Sequence, residues 1–250
     1  MKWKRPFLFF LFIFIFYISF YWIEYDEDSI ISSKTRTIEN DGFYVLIDKD
    51  YLKTVSLPCN KLKNDILNKL PPDYIFLHYI YKIKNTALST FHRDVTSSQT
   101  INNTKYPTYT CILYKYSGEL LSICPGSNKT YPFVTSNILN ISGEKGTVFL
   151  FDSNLLHSGM QNMCRDREVI QWKICHKDDL LVLKHLHGVR VEKSDYCKIT
   201  YYNYCLRKLS YYFELPINSI FYPLMIKREN HESILGKIQS YIPLSYYNNI

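Results

Sequence analysis

His92-Arg93-Asp94 is the first run in the chain whose residue types and spacing suggest chemistry. An imidazole and a carboxylate two positions apart in an extended segment project to the same face, so both can reach one ion from a single strand end. The same triplet opens the catalytic loop of protein kinases, but that pattern asks for Asn five residues after the Asp, where this chain has Gln99. A Gly-rich loop and a D-F-G triplet are absent as well, and the kinase reading is excluded. A second histidine lies further on, in Gly146-Thr-Val-Phe-Leu-Phe-Asp-Ser-Asn-Leu-Leu-His157-Ser-Gly, an apolar strand followed by a turn. Asn162 stands five residues past His157 and Arg167 ten past it, at the start of Arg-Glu-Val-Ile-Gln-Trp-Lys-Ile174. A guanidinium there offers two parallel donors to a carboxylate. Arg165 has the same parity along an extended chain and stays open as an alternative.

Two His and one carboxylate on one face are the ligand set of non-haem Fe(II) oxygenases, which keep the remaining positions for co-substrate and O2. Four places, in order, resemble one family, the phytanoyl-CoA dioxygenase-like branch of the Fe(II)/2-oxoglutarate oxygenases. Asp41-Gly-Phe-Tyr-Val-Leu46 looks like its opening strand, and His92-Arg93-Asp94 is similar to its metal motif. Gly118-Glu-Leu-Leu-Ser-Ile-Cys-Pro-Gly-Ser-Asn-Lys129 resembles its G-x-L…P-G-S-H-K turn, with Asn128 in place of the usual His. His157…Asn162…Arg167 resembles its distal His and 2-oxoglutarate Arg. The resemblance runs from Asp41 to about Cys175. It implies a mainly β (α+β) fold with flanking helices around a double-stranded β-helix of jelly-roll, cupin-like type. It further implies that His92, Asp94 and His157 ligate Fe(II) as the catalytic centre and that Arg167 grips 2-oxoglutarate, with O2 as the other co-substrate and ascorbate as a candidate reductant. The reaction implied is hydroxylation of an unidentified substrate with release of succinate and CO2. A carboxylate at position 94 argues against halogenation, because related halogenases vacate that place for chloride. The alternative is a catalytically inactive, membrane-tethered β-sandwich serving as a binding or scaffold module; the intact ligand set argues against it. The family's acyl-CoA substrate does not transfer, since fold and metal site do not fix the substrate pocket.

The elements that would position these groups are mostly strands. Gly42–Ile47, Tyr74–Ile83, Tyr109–Tyr116, Leu120–Cys124, Thr147–Phe151 and Glu168–Cys175 read as short strands. Turn residues separate them, at Asp48 to Tyr51, Ser117-Gly118, Pro125-Gly126-Ser127 and Ser142-Gly143. Asn60 to Leu70 has helical spacing (Leu62, Ile66, Leu67, Leu70) and stops at Pro71-Pro72. Residues from about 178 to 250 look mixed and more helical, packed on the β core. His78, His176, His185 and His187 show no ligand pattern.

Phe7 to Ile23 is a run of seventeen residues without a charge, preceded by Lys2, Lys4 and Arg5 and followed by Glu24, Asp26, Glu27 and Asp28. As a helix it spans roughly 25 Å, short of a hydrocarbon core of about 30 Å and better matched to a thinner, endoplasmic-reticulum-type membrane. The charge asymmetry places residues 1–6 in the cytoplasm, 7–23 in the membrane as a signal anchor, and the rest in the lumen or outside the cell. Residues 24–40 read as a stalk and 41–250 as the oxygenase domain. No small-x-small cleavage site follows the apolar run, so an anchor is preferred to a cleaved signal. The net charge of +7 is scattered and no nucleic-acid-binding motif accompanies it, which argues against nucleic acid as a partner. The expected partners are the membrane and a small-molecule, lipid, glycan or protein substrate. Seven Cys form no C-x-x-C pair. Sequons occur at Asn102, Asn128 and Asn140. Disulfide pattern and oligomeric state are left open.

Overall fold

The computed structural model describes residues 4–20, 24–27, 35–84, 90–97, 101, 103–133, 136–160, 167–184, 186–193, 201–217 and 248–249. Its larger sheet contains β2 (Phe43–Ile47), β3 (Tyr74–Lys84), β4 (Tyr109–Tyr114), β7 (Thr147–Asp152), β9 (Glu168–His176), β10 (Gly188–Lys193) and β11 (Asn248–Asn249). They lie in the order β11-β10-β3-β9-β4-β7-β2. The smaller sheet contains β1 (Glu24–Glu27), β5 (Gly118–Ile123), β6 (Ile138–Gly143) and β8 (His157–Gly159), in the order β1-β6-β5-β8. An isolated antiparallel bridge between His92 and His157 adds the His92 segment beside β8. From β3 onward the chain passes repeatedly between the sheets: β3 large, His92 small, β4 large, β5 and β6 small, β7 large, β8 small, β9 large. That is the course of a jelly roll.

Alternation along β4 and β9 builds two cores from one sheet. Ile112, Tyr114 and Val169 face the interior between the sheets, where they meet Phe43, Phe149 and Phe151. Cys111, Leu113, Ile170, Trp172 and Ile174 face outward and are covered by α3 (Asn60–Leu67) through Leu62 and Ile66. Trp172 is fully buried, and its indole N–H donates to the Ser56 carbonyl at 2.9 Å, so its one polar atom is satisfied. The helix ends three residues earlier than its spacing predicts. Lys69 and Leu70 donate to the Ile66 and Leu67 carbonyls, tightening the last turn ahead of the prolines.

Two glycines are fixed by geometry. Gly42, the left-handed C-cap of α2 (Ile38–Asp41), has φ 85°, and a Cβ there would come within 2.7 Å of Asn128 Oδ1 and 2.8 Å of Leu155 Cδ1. Gly146 has φ 92°, with the Asp48 carbonyl 2.8 Å from where a Cβ would sit.

Several expectations are corrected. In place of a crossing helix over Phe7–Ile23, α1 covers Lys4–Phe20, 17 residues, and Tyr21–Ile23 lie outside the described residues. Among the described residues no helix is long and apolar enough to cross a membrane. The physical reason is reach: about 1.5 Å per residue leaves α1 several ångströms short of a full hydrocarbon core. Glu24–Glu27 belongs to a strand, paired in parallel with Ile138–Ile141, where a stalk was expected. Ser142-Gly143 ends β6 instead of forming a separate turn, and Asp48 caps a 3-10 helix over Lys49–Lys53.

Candidate metal centre

His92 and His157 face each other across the isolated bridge. The His92 N–H donates to the His157 carbonyl at 2.9 Å, and the His157 N–H returns the bond to His92 at 3.1 Å. Asp94 opens the one-turn helix α4 (Asp94–Ser97), so the motif is a bridge residue and a helix start and not a continuous strand. Phe91 and Arg93, on either side of His92, are fully buried. The Arg93 guanidinium donates to the Ser127 carbonyl at 2.7 Å and to the Asn154 carbonyl. It thereby ties the motif to the Pro125-Gly126-Ser127 turn and to the turn that precedes His157. Ser127 Oγ accepts from the Leu156 N–H at 2.9 Å, fixing that second turn again.

The three side chains converge: one ligand atom from each of His92, Asp94 and His157 lies within 4.8 Å of the others. The Nδ1 atoms of both rings sit 2.9 Å from a backbone carbonyl two residues earlier, Thr90 for His92 and Leu155 for His157. A carbonyl oxygen only accepts, so each Nδ1 carries a hydrogen, and in the neutral ring it is Nε2 that keeps the lone pair. That is the tautomer a metal-binding histidine needs, fixed before any ion arrives. Burial, joined by the nearby His92 ring, pushes the His157 pKa down to about 3 against the pull of Asp94, so the ring is neutral at ordinary pH. Burial alone would raise the Asp94 pKa. The Lys173 ammonium and the two imidazoles outweigh it and hold the carboxyl well below its usual range. Two imidazoles and one carboxylate suit a divalent transition ion better than Ca2+ or Mg2+, which ask for all-oxygen shells.

Lys173 and Thr110 are residues that sequence reasoning missed. They stand opposite each other on β9 and β4 and both point inward. The Lys173 ammonium lies 2.6 Å from Asp94 Oδ2 and donates to Thr110 Oγ1 at 2.7 Å; the Thr110 hydroxyl donates to the same Oδ2 at 2.5 Å. Both donors gather on one carboxylate oxygen. The available signal was parity, since Lys173 shares its strand face with Gln171 and Arg167.

Arg167 is buried on that inward line, six residues before Lys173, with its guanidinium 6.0 Å from the Tyr116 ring centre. Arg165 and Asn162 lie outside the described residues. Opposite the Arg167 end, at the sheet rim, a cavity of about 290 Å3 opens beside Val95, lined also by Thr108, Tyr131, Asp152 and Asn154. Thr108 Oγ1 and Asn154 Oδ1 are buried there without a hydrogen-bond partner among the described residues. Asp152 has its pKa raised, chiefly by burial. Asn128, the departure from the family's turn, donates its side-chain amide to Asp152 at 3.1 Å, and Asn140 is 7% exposed within β6. Neither sequon nitrogen stands out in solvent. Asn102 lies outside the described residues. Cys59, Cys111, Cys124, Cys175 and Cys205 are free thiols.

No protein-family model matches the chain. No curated protein matches it either. Solved structures similar to it include EvdMO1 (12% identity, TM-score 0.42, 58% of this chain and 50% of that one). EctD from S. alaskensis in its apo form is another (14%, 0.44, 60% and 78%). A third is HygX from Streptomyces hygroscopicus with nickel and 2-oxoglutarate bound (13%, 0.42, 56% and 84%). The chain spans half the length of EvdMO1. The chemistry of the site rests on its own groups.

Proposed function

We propose that the chain is a non-haem Fe(II), 2-oxoglutarate-dependent dioxygenase of the phytanoyl-CoA dioxygenase-like type. The observation that carries this reading is the convergence of His92, Asp94 and His157 within 4.8 Å, with both imidazoles fixed in the metal-binding tautomer. The three residues would hold Fe(II), and the iron, when bound with 2-oxoglutarate and O2, would supply C–H hydroxylation coupled to formation of succinate and CO2.

The protein's own contributions follow from position. Arg167, deep between the sheets, takes the far carboxylate of 2-oxoglutarate through parallel N–H donors. Lys173 and Thr110 hold Oδ2 of Asp94 and leave ligation to the other carboxylate oxygen. Phe151 packs on the His157 ring, centroids 4.5 Å apart, and keeps water from that side. The rim cavity receives the substrate. Its acceptor atoms at Thr108, Asn154 and Asp152 favour a substrate bearing N–H or O–H groups, because an alkyl chain would leave each desolvated at about 1–3 kcal/mol.

We place the catalytic domain at a membrane through α1, whose Phe7, Leu8, Phe9, Phe10 and Phe12 are each at least 60% exposed. The seventeen-residue uncharged run suits a thinner, endoplasmic-reticulum-type membrane rather than a full hydrocarbon core, and the basic residues before it and the acidic ones after it favour a cytoplasmic N-terminus and a lumenal domain.

The test uses the full chain with Fe(II), ascorbate and 2-oxoglutarate. The expected result is succinate release and metal-dependent 2-oxoglutarate binding, both lost in His92→Ala and Asp94→Ala. Binding of 2-oxoglutarate that ignores the metal, or none at all, sinks the reading. Protease protection of the domain in sealed microsomes tests the lumenal address.

A further inference from the structure

We infer that the C-terminal helices α5 (Tyr201–Tyr212) and α6 (Glu214–Pro216) are a positioning element of the metal centre, holding both histidine segments from behind through Arg207, Ser210 and Glu214. The inference rests on the metal reading above.

Each histidine projects toward the site, so its chain neighbours project away from it. Those neighbours are what the helices hold. On the first segment, Ser210 Oγ accepts from the Phe91 N–H at 2.8 Å, and Glu214 Oε1 accepts from the Arg93 N–H at 3.3 Å. The other Glu214 oxygen lies 3.5 Å from Arg93 Nε in an ion pair that is almost wholly buried. Tyr211 packs edge-on against Phe91 at 5.6 Å, and its hydroxyl donates to the Ser136 carbonyl at 2.7 Å.

On the second segment, the buried Arg207 guanidinium donates to Ser158 Oγ and to the Gly159 carbonyl, the latter at 3.0 Å. A third bond, 2.6 Å long, reaches Ser122 Oγ on the neighbouring strand β5. The same guanidinium lies 4.5 Å from the Phe91 ring centre, so one side chain touches both histidine-bearing segments.

A helix needed only to cover the outer face of the smaller sheet would do so with apolar side chains. Buried charges cost desolvation, and ion pairs replaced by well-packed apolar groups often leave a protein as stable or more so. What Arg207 and the Arg93–Glu214 pair supply is a fixed geometry: they set the backbone on both sides of His92 and immediately after His157. The spacing of the two imidazoles is thus defined from a part of the chain that carries no ligand.

The experiment titrates the full chain with Co(II), whose visible absorption reports ligand geometry, for the wild type, Arg207→Met, Glu214→Gln and the control Tyr204→Ala on the exposed side of α5. Expected are a Co(II) affinity lower by about 10- to 100-fold in the first two variants, the range found for groups that orient metal ligands. A displaced visible spectrum should accompany it, with the control unchanged. Hydrogen exchange on the wild type supplies the evidence should a variant fail to fold. Co(II) is expected to slow exchange across residues 201–217 and at Phe91 and Arg93, while α3 stays unchanged. Variants that bind Co(II) with wild-type affinity and spectrum, or a helix pair whose exchange ignores Co(II), overturn the inference and leave the metal reading standing. A wild type that binds no Co(II) overturns both.

Discussion

Lys173 and Asp94 form a buried ion pair whose two members answer to different masters once a divalent ion enters. Without metal the ammonium is the nearest cation to the carboxylate, at 2.6 Å. Removing it by Lys173→Met leaves a buried anion facing Thr110, and breaking such a pair costs about 3–5 kcal/mol. Metal at the same carboxylate replaces part of the lost charge. The variant should therefore lose more thermal stability with EDTA present than with Mn(II), and an equal loss in both would separate Lys173 from the centre. His157 gives a pH prediction. Its folded pKa is pushed down to about 3, first by burial, while an unfolded histidine titrates near 6.5. Between those values the unfolded chain binds the extra proton, so this contribution is complete above about pH 6.5 and is lost progressively as pH falls toward 3. Urea midpoints from pH 7.5 down to 4.5 should fall more steeply for the wild type than for His157→Gln. At this scale the sequence was legible where residue type and spacing decide, in H-x-D and a distant His, whose ligand atoms converge. Lys173 was hidden because a charged residue in a strand is ordinarily taken for a solvent-facing one, although its parity with Arg167 pointed inward and the partner strand shows that it faces that way.

Strands announced by apolar runs were readable, and those made of polar or few residues were not. β4 and β7 are nearly continuous hydrophobic stretches and β9 interleaves apolar with polar residues, and the ends of all three agree with the sequence reading to within two residues. β6 contains Asn140, Ser142 and Gly143, whose side chains suggest a turn; it is a strand because β5 and β1 pair with it on either side. β8 has 3 residues and no periodicity to detect. The positions of α5 and α6 were equally unreadable, since the bonds that place them join residues 48 to 121 positions apart. Gly42 tests how far the opening strand depends on its cap. A side chain there would sit at φ 85° and collide with Asn128 and Leu155. Gly42→Ala should cost about 1–3 kcal/mol from backbone strain alone, read as a lower melting temperature. An unchanged melt would mean that the helix cap relaxes freely.

For the molecule as a whole, the core lies in the two sheets and the chemistry at one rim, where the His92–His157 bridge ties the His92 segment to β8 of the smaller sheet. Metal bound to the folded form stabilises it by about 2.7 kcal/mol at a hundred times its dissociation constant. Chelation should lower the melting temperature of the full chain, and re-addition of Mn(II) should restore it. The short strand-like runs and the turns between them foresaw a mainly β core. The sequence reading placed the N-terminal helix at Phe7–Ile23, whereas α1 covers Lys4–Phe20 among the described residues, because an uncharged run marks apolar residues and not helix bounds. The bridge itself has a further consequence. Two backbone hydrogen bonds are a weak seam, and an ion gripping a ring from each edge would rivet it. An iron-starved molecule should then fray first at this seam, exposing the amides of His92 and His157 to exchange while the buried strands behind them remain closed.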